Sequence, residues 1–195
     1  MRRWEQWKRC KQRKQWKRCL LLGLVLMLLT GCTANHSEAY RRALDVFAGG
    51  DYEEAAQAFE KLGDYQQAAQ YAAYSRGLVL WEQGDYLSAE PYFEQCQTLL
   101  MGEKRYAYCH AFALEAAGDA AGAAEAFGQL GDFEDASLRQ YYNEGVDAEN
   151  RKDYEKALYD YTAAGDTADA ADRLLNLQGQ IYNRAIELRE ARSYE

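Results

Sequence analysis

The chain has 195 residues, a single proline, 16 tyrosines and a formal net charge of −8. Such a length allows one domain, or one elongated array behind a leader, and the scarcity of proline suits a mostly helical chain. The charge is uneven: residues 1–18 hold nine Lys or Arg and one acidic residue, Glu5, while the remainder carries 14 basic and 30 acidic residues, a net of −16, which argues against nucleic acid as a partner.

In chain order, the basic leader is interleaved with Trp4, Trp7 and Trp16. Alone, it would suit a nucleic-acid arm or a helix lying on a membrane. The next stretch decides against the first. Cys19 to Leu29 is almost entirely Leu, Val and Met, with Gly23 inside. At about 11 residues it is short for a bilayer span and right for a signal-peptide core. It ends in Leu29-Thr30-Gly31-Cys32, with a small residue before a cysteine. The combination resembles the bacterial lipoprotein signal. That resemblance implies that residues 1–31 are removed and that Cys32 is lipidated and becomes the mature N-terminus. It also implies an extracytoplasmic protein anchored by lipid to a bacterial membrane. The alternative is a single uncleaved N-terminal transmembrane anchor. The leader stays cytoplasmic in both. Residues 32–38 are then the lipidated cysteine and a short polar tether.

From residue 39 a fixed period governs the chain. Gly50-Asp51-Tyr52 recurs as Gly84-Asp85-Tyr86, Gly118-Asp119-Ala120 and Lys152-Asp153-Tyr154, each step being 34 residues. Four after each aspartate stands Ala55, Ala89, Ala123 or Ala157, and four further Phe59, Phe93, Phe127 or Tyr161. Upstream runs a series of small residues, Ala43, Gly77, Ala111, Gly145 and Gly179. Four before these stand Ala39, Ala73, Ala107, Tyr141 and Leu175, and three after them Val46, Leu80, Leu114, Ala148 and Tyr182. Spacings of three and four on both sides of a turn predict two amphipathic helices per unit. Small residues let the two backbones approach, and the aromatic fills the space between them.

This pattern resembles the tetratricopeptide repeat over residues 36 to about 185. The resemblance implies an all-α chain: a right-handed α-solenoid of antiparallel helix pairs over 39–195, preceded by a signal peptide. The family's proline near the end of each unit is missing. A second turn replaces it in Leu62-Gly63-Asp64-Tyr65, Leu130-Gly131-Asp132-Phe133 and Gly165-Asp166. Glycine there can end one helix and aspartate can cap the next.

Tyr40, Tyr74, Tyr108 and Tyr142 also recur at the period. By the resemblance this position lines a concave groove, with Leu78, Trp81 and Phe112 nearby. Two readings stand: an aromatic trough for a peptide or partner helix, or packing between successive helices. The basic and amide clamp that some family members use for C-terminal carboxylates is absent. Cys96 and Cys109 likewise allow two readings, a disulfide or two buried thiols. Pro91 lies within the second helix of its unit and is expected to kink or shorten it.

No motif for chemistry emerges. His36 and His110 form no metal-spaced set, and no phosphate-binding loop, GxSxG or dinucleotide fingerprint occurs. The acidic runs at Asp51, Glu53 and Glu54, and at Asp132, Glu134 and Asp135, lie at helix starts, where capping explains them. No enzyme, cofactor or metal is expected. The C-terminal end reads as uncapped: a truncation, or an end that docks. The expected function is a membrane-anchored scaffold that holds protein or peptide partners at the outer face of a bacterial membrane. The alternatives are a receptor for small ligands or cell-wall fragments, and the accessory region of a longer enzyme.

Overall fold

A computed structural model describes residues 35–192, and all regular structure among them is helical. The leader, Cys32 and its proposed lipidation lie outside the described residues. Helix α1 covers 35–48. It is followed by α2 (Tyr52–Glu60), α3 (Ala68–Glu82), α4 (Tyr86–Glu94), α5 (Gly102–Ala116), α6 (Ala120–Leu130), α7 (Ala136–Asn150), α8 (Tyr154–Ala164) and α9 (Ala170–Arg192). Odd helices are the first of each pair and even helices the second, as the period predicts. The chain divides into two compact units at Ala72 and Ala73.

The first turn of each unit is built alike. Asp51, Asp85, Asp119 and Asp153 cap α2, α4, α6 and α8. Each carboxylate accepts the backbone N–H three residues on, from Glu54, Ser88, Gly122 and Lys156, at 3.0 to 3.3 Å. Just before the cap, Gly50, Gly84 and Gly118 take φ of 86°, 74° and 81°, and Lys152 takes 62° without a glycine's freedom. The second turn is just as regular, although its sequence is not. Gln66, Leu100, Glu134 and Ala168 stand 34 residues apart, and all have φ between 50° and 53°. The unit without a second glycine–aspartate pair, at residues 95–101, therefore turns with the same local conformation.

In residues up to 72, Tyr40, Ala43, Ala55, Phe59, Leu62, Ala68 and Ala72 form one buried cluster. Beyond 72, each helix from α4 to α9 packs on the next. Tyr108, Ala111, Ala123, Phe127 and Ala136 form one cluster, and Tyr142, Ala148, Ala157, Tyr161, Ala164, Ala170 and Leu177 another. The four aromatics Phe59, Phe93, Phe127 and Tyr161 are fully buried. The small residues opposite them have a steric reason. A Cβ on Gly77 would lie 2.8 Å from Phe93 Cε1, and one on Gly145 would lie 2.7 Å from Tyr161 Cδ1. Pro91 sits inside α4, which is nine residues long, but α2 is equally short without a proline. The shortness of α4 thus has no need of Pro91.

Candidate functional site

The tyrosine series packs and does not line an open trough. Tyr74 and Tyr108 are 3% and 2% exposed, and Tyr40, Tyr142 and Leu78 are also buried. Trp81 and Phe112 are half-buried, joined to Tyr86 and Tyr108 in one ring cluster. The groove reading of Tyr40, Tyr74, Tyr108, Tyr142 and Leu78 is therefore corrected. The physical reason is that a phenol can bury its ring provided its hydroxyl finds a partner, and the repeat supplies one.

That partner belongs to a four-residue clasp. Tyr108 on α5 donates to Asp135, the residue just before α7. Arg139 on α7 donates to Asp135 at 3.1 Å and reaches back to Glu115 on α5 at 3.3 Å. Its guanidinium lies 4.1 Å from the Phe112 ring centroid, and Asn143 donates to Glu115 at 2.8 Å. One period later the clasp recurs. Tyr142 donates to Asp169 at 2.7 Å, and Arg173 bridges Asp169 at 2.9 Å and Glu149 at 3.2 Å. Tyr161 adds a second donor to Glu149 at 2.6 Å. The charge-assisted bonds tie the first helix of one pair to the first helix of the next.

Electrostatics follow from this geometry. Burial pushes the Tyr142 hydroxyl up to about 12, and its donation to Asp169 pushes the same way. Burial and the donations to Asp135 and Glu149 raise Tyr108 and Tyr161 further. For Asp169, burial alone would raise the carboxyl, but the Tyr142 hydroxyl and Arg173 outweigh it and hold it below its usual range.

In the preceding unit the clasp is open. Arg105 occupies the register of Arg139 and Arg173, but Met101 stands where Asp135 and Asp169 stand, and Trp81 replaces Glu115 and Glu149. Arg105 instead donates from Nε to the Tyr74 hydroxyl at 3.3 Å and lays its guanidinium 4.5 Å from the Trp81 centroid. Its Nη1 is buried without a hydrogen-bond partner, and it makes no ion pair among the described residues. One unit earlier the positions of arginine and glutamate hold Tyr71 and Phe47, whose rings lie 5.5 Å apart. The same places thus pass from aromatic to mixed to ionic along the chain.

Other candidates are less organised. Cys96 and Cys109 are buried free thiols, which corrects the disulfide reading. Cys96 Sγ donates to the Tyr92 carbonyl at 3.2 Å. Burial pushes Cys96 up to about 11, and burial together with Glu90 pushes Cys109 up to about 12. Asp160 is 1% exposed, and Lys156 Nζ lies 2.9 Å from it and 2.7 Å from Glu144. The Asp160 contact has ion-pair distance but lies off the hydrogen-bond direction, so both its oxygens lack a donor. An open cleft of about 620 Å³ lies beside this pair, lined by Gly128, Gln140, Glu144, Asp147 and Lys156 among others. Among the described residues no three His, Cys, Asp or Glu side chains gather as metal ligands, and no helix is long and apolar enough to cross a membrane.

A tetratricopeptide repeat lies at residues 71–99. The matched segment runs through α3 and α4, including the Gly77–Phe93 contact and the open Arg105 site's Tyr74 and Trp81. No curated protein matches the chain, and neither does any solved structure. Repeats of this kind generally mediate protein–protein interaction, so the chain carries a module suited to a scaffold.

Sequence reasoning missed the clasp. Its signal was available: Arg105, Arg139 and Arg173 recur at 34 residues, as do Asp135 and Asp169, and Glu115 and Glu149. Attention to apolar positions passed over a polar series of equal regularity.

Proposed function

We propose that the chain is a scaffold anchored by lipid at Cys32 to the outer face of a bacterial membrane, and that it captures protein partners there. The observation that carries the partner reading is Arg105. Where the later clasps satisfy their arginine with two carboxylates, this one offers a half-buried cation on an aromatic face with none. A partner's acidic side chain supplies the missing charge at the exposed part of the Arg105 side chain, Nη1 itself being buried. Repulsion from the acidic body is screened beyond a Debye length of about 8 Å at physiological ionic strength, so a close contact survives it. The anchor reading is supported by the basic leader, the apolar core and Leu29-Thr30-Gly31-Cys32. Stable attachment needs two lipid signals, because one chain gives only marginal binding.

Proximity crosslinking in the native host tests both parts. Wild type should sediment with membranes and crosslink to a defined set of envelope proteins. Cys32→Ser should leave the membrane fraction, and Arg105→Met should stay in it but lose the crosslinks. Unchanged crosslinks in Arg105→Met would remove the proposed contact, and unchanged fractionation of Cys32→Ser would remove the lipid anchor.

A further inference from the structure

Helix α9 carries a second apolar stripe that is largely uncovered, with Leu175, Gly179 and Tyr182 exposed and Ile186 half-buried. Its inner face packs only at its start: Ala170 and Leu177 are buried and Leu174 packs with them against Tyr161 and Ala164 of α8, while Ile181 and Leu188 further along are exposed. The opposite face presents Leu175, Gly179, Tyr182 and Ile186, spaced four, three and four residues apart. Leu175 and Tyr182 are 71% and 68% exposed. Such spacing makes a continuous seam along a helix, the pattern of a coiled-coil contact.

The repeat says what this face does elsewhere. Gly145, at the register of Gly179, lies under Tyr161, and Ala148, at the register of Tyr182, is fully buried. In α9 the equivalent hole is open, since a Cβ on Gly179 would meet nothing within 4 Å. The face is also altered. Tyr182 puts a phenol ring where Leu80, Leu114 and Ala148 stand, so a helix arriving as α8 arrives on α7 would meet that ring. The occupant must offer a hole for Tyr182 and a knob for Gly179. This same stripe offers both.

We infer that α9 pairs antiparallel with α9 of a second copy of this chain, about a twofold axis between Gln180 and Ile181. Three kinds of layer then form, each twice. Gly179 faces Tyr182 of the other copy, hole to knob. Leu175 faces Ile186, two aliphatic side chains. Asp172 faces Arg189, opposite charges that extend the same four-and-three spacing at each end of the seam. A twofold contact demands this self-complementarity, in which each residue meets the other's partner. All three pairings are fixed by one axis position, and a shift of the axis breaks all three together. The seam spans 172–189, roughly 25 Å at 1.5 Å per residue. One helix pair makes a small interface, so the association is weak, on the order of micromolar.

Sedimentation equilibrium of the full-length protein in detergent, over a hundredfold concentration range, reads the pairing. Wild type should pass from monomer to dimer. Asp172→Arg sets two like-charge pairs in the seam and should weaken dimerisation at least about tenfold, as should Arg189→Asp. The double variant exchanges the signs and should return to within about threefold of wild type, an outcome that only antiparallel pairing produces. Gly179→Leu fills open space and should keep full helicity by circular dichroism while losing the dimer. A monomer at all concentrations would overturn the pairing. A dimer indifferent to Gly179→Leu would do the same, as would failure of the double reversal to rescue a folded protein.

Discussion

Phe93 and Phe127 are fully buried, Phe93 against Gly77 and Phe127 in a cluster with Ala111 and Ala123. Truncation to alanine removes a ring from a site that cannot collapse, so each change should cost about 3–5 kcal/mol in denaturant unfolding. An unchanged midpoint would remove the packing role of the aromatic series. Lys152 makes the opposite case. It holds φ of 62°, a conformation that costs a non-glycine residue roughly 1 kcal/mol, where the other units have glycine. Lys152→Gly should therefore not destabilise, and should stabilise by up to about 0.5 kcal/mol once the added unfolded-state entropy is subtracted. At this scale the sequence was largely readable. Small residue, alanine and aromatic at fixed spacing named the buried contacts, because steric fit between helices leaves few alternatives. It left two readings open for the tyrosines, because a phenol suits a wet groove and a satisfied interior equally well. Only the position of Asp135 and Asp169, across a turn whose geometry no motif marks, decides between the two.

Among elements, the even helices are held at their start by one aspartate each. Replacing Asp119 or Asp153 by alanine should cost about 1 kcal/mol, measurable as a lowered thermal midpoint. The clasps act between odd helices. A double-mutant cycle on Tyr142→Phe and Asp169→Asn should give a coupling of about 0.5–3 kcal/mol, because each change orphans the other's partner. Additive losses would mean that the pair does not couple α7 to α9. Element existence was legible throughout from the period. The second turn was legible only where Gly63, Gly131 and Gly165 mark it; Leu100 makes the same turn with no such mark. No residue type at that place marks the turn, so a local reading has nothing to find.

For the whole molecule, the distribution of carboxylates sets the pH response. Asp169 and Glu144 are held below the usual carboxylate range, Glu144 by the Lys156 ammonium first. A depressed folded pKa contributes stability that is present above the unfolded value of about 4 and is lost as pH falls through the folded value. Asp160 runs the other way: burial raises it, so its charge opposes folding at neutral pH, and protonation relieves that. Asp169→Asn should consequently lower stability at pH 7 and flatten its fall below pH about 4. An unchanged acid limb would show that the Asp169 clasp carries no charge-dependent stability.

One arginine of the repeated series, Arg105, is left for a partner while Arg139 and Arg173 hold the fold. Thermal midpoints of Arg105→Met and Arg139→Met, measured side by side at neutral pH, test it most directly. Loss of Arg139 leaves Glu115 with Asn143 and Asp135 with Tyr108 but deprives both of their cation, and should cost about 1–3 kcal/mol. Loss of Arg105 strands no carboxylate and costs only its bond to the Tyr74 hydroxyl and its stacking on Trp81, so its midpoint should fall clearly less than that of Arg139→Met. Equal destabilisation by both would contradict the account and return Arg105 to the fold.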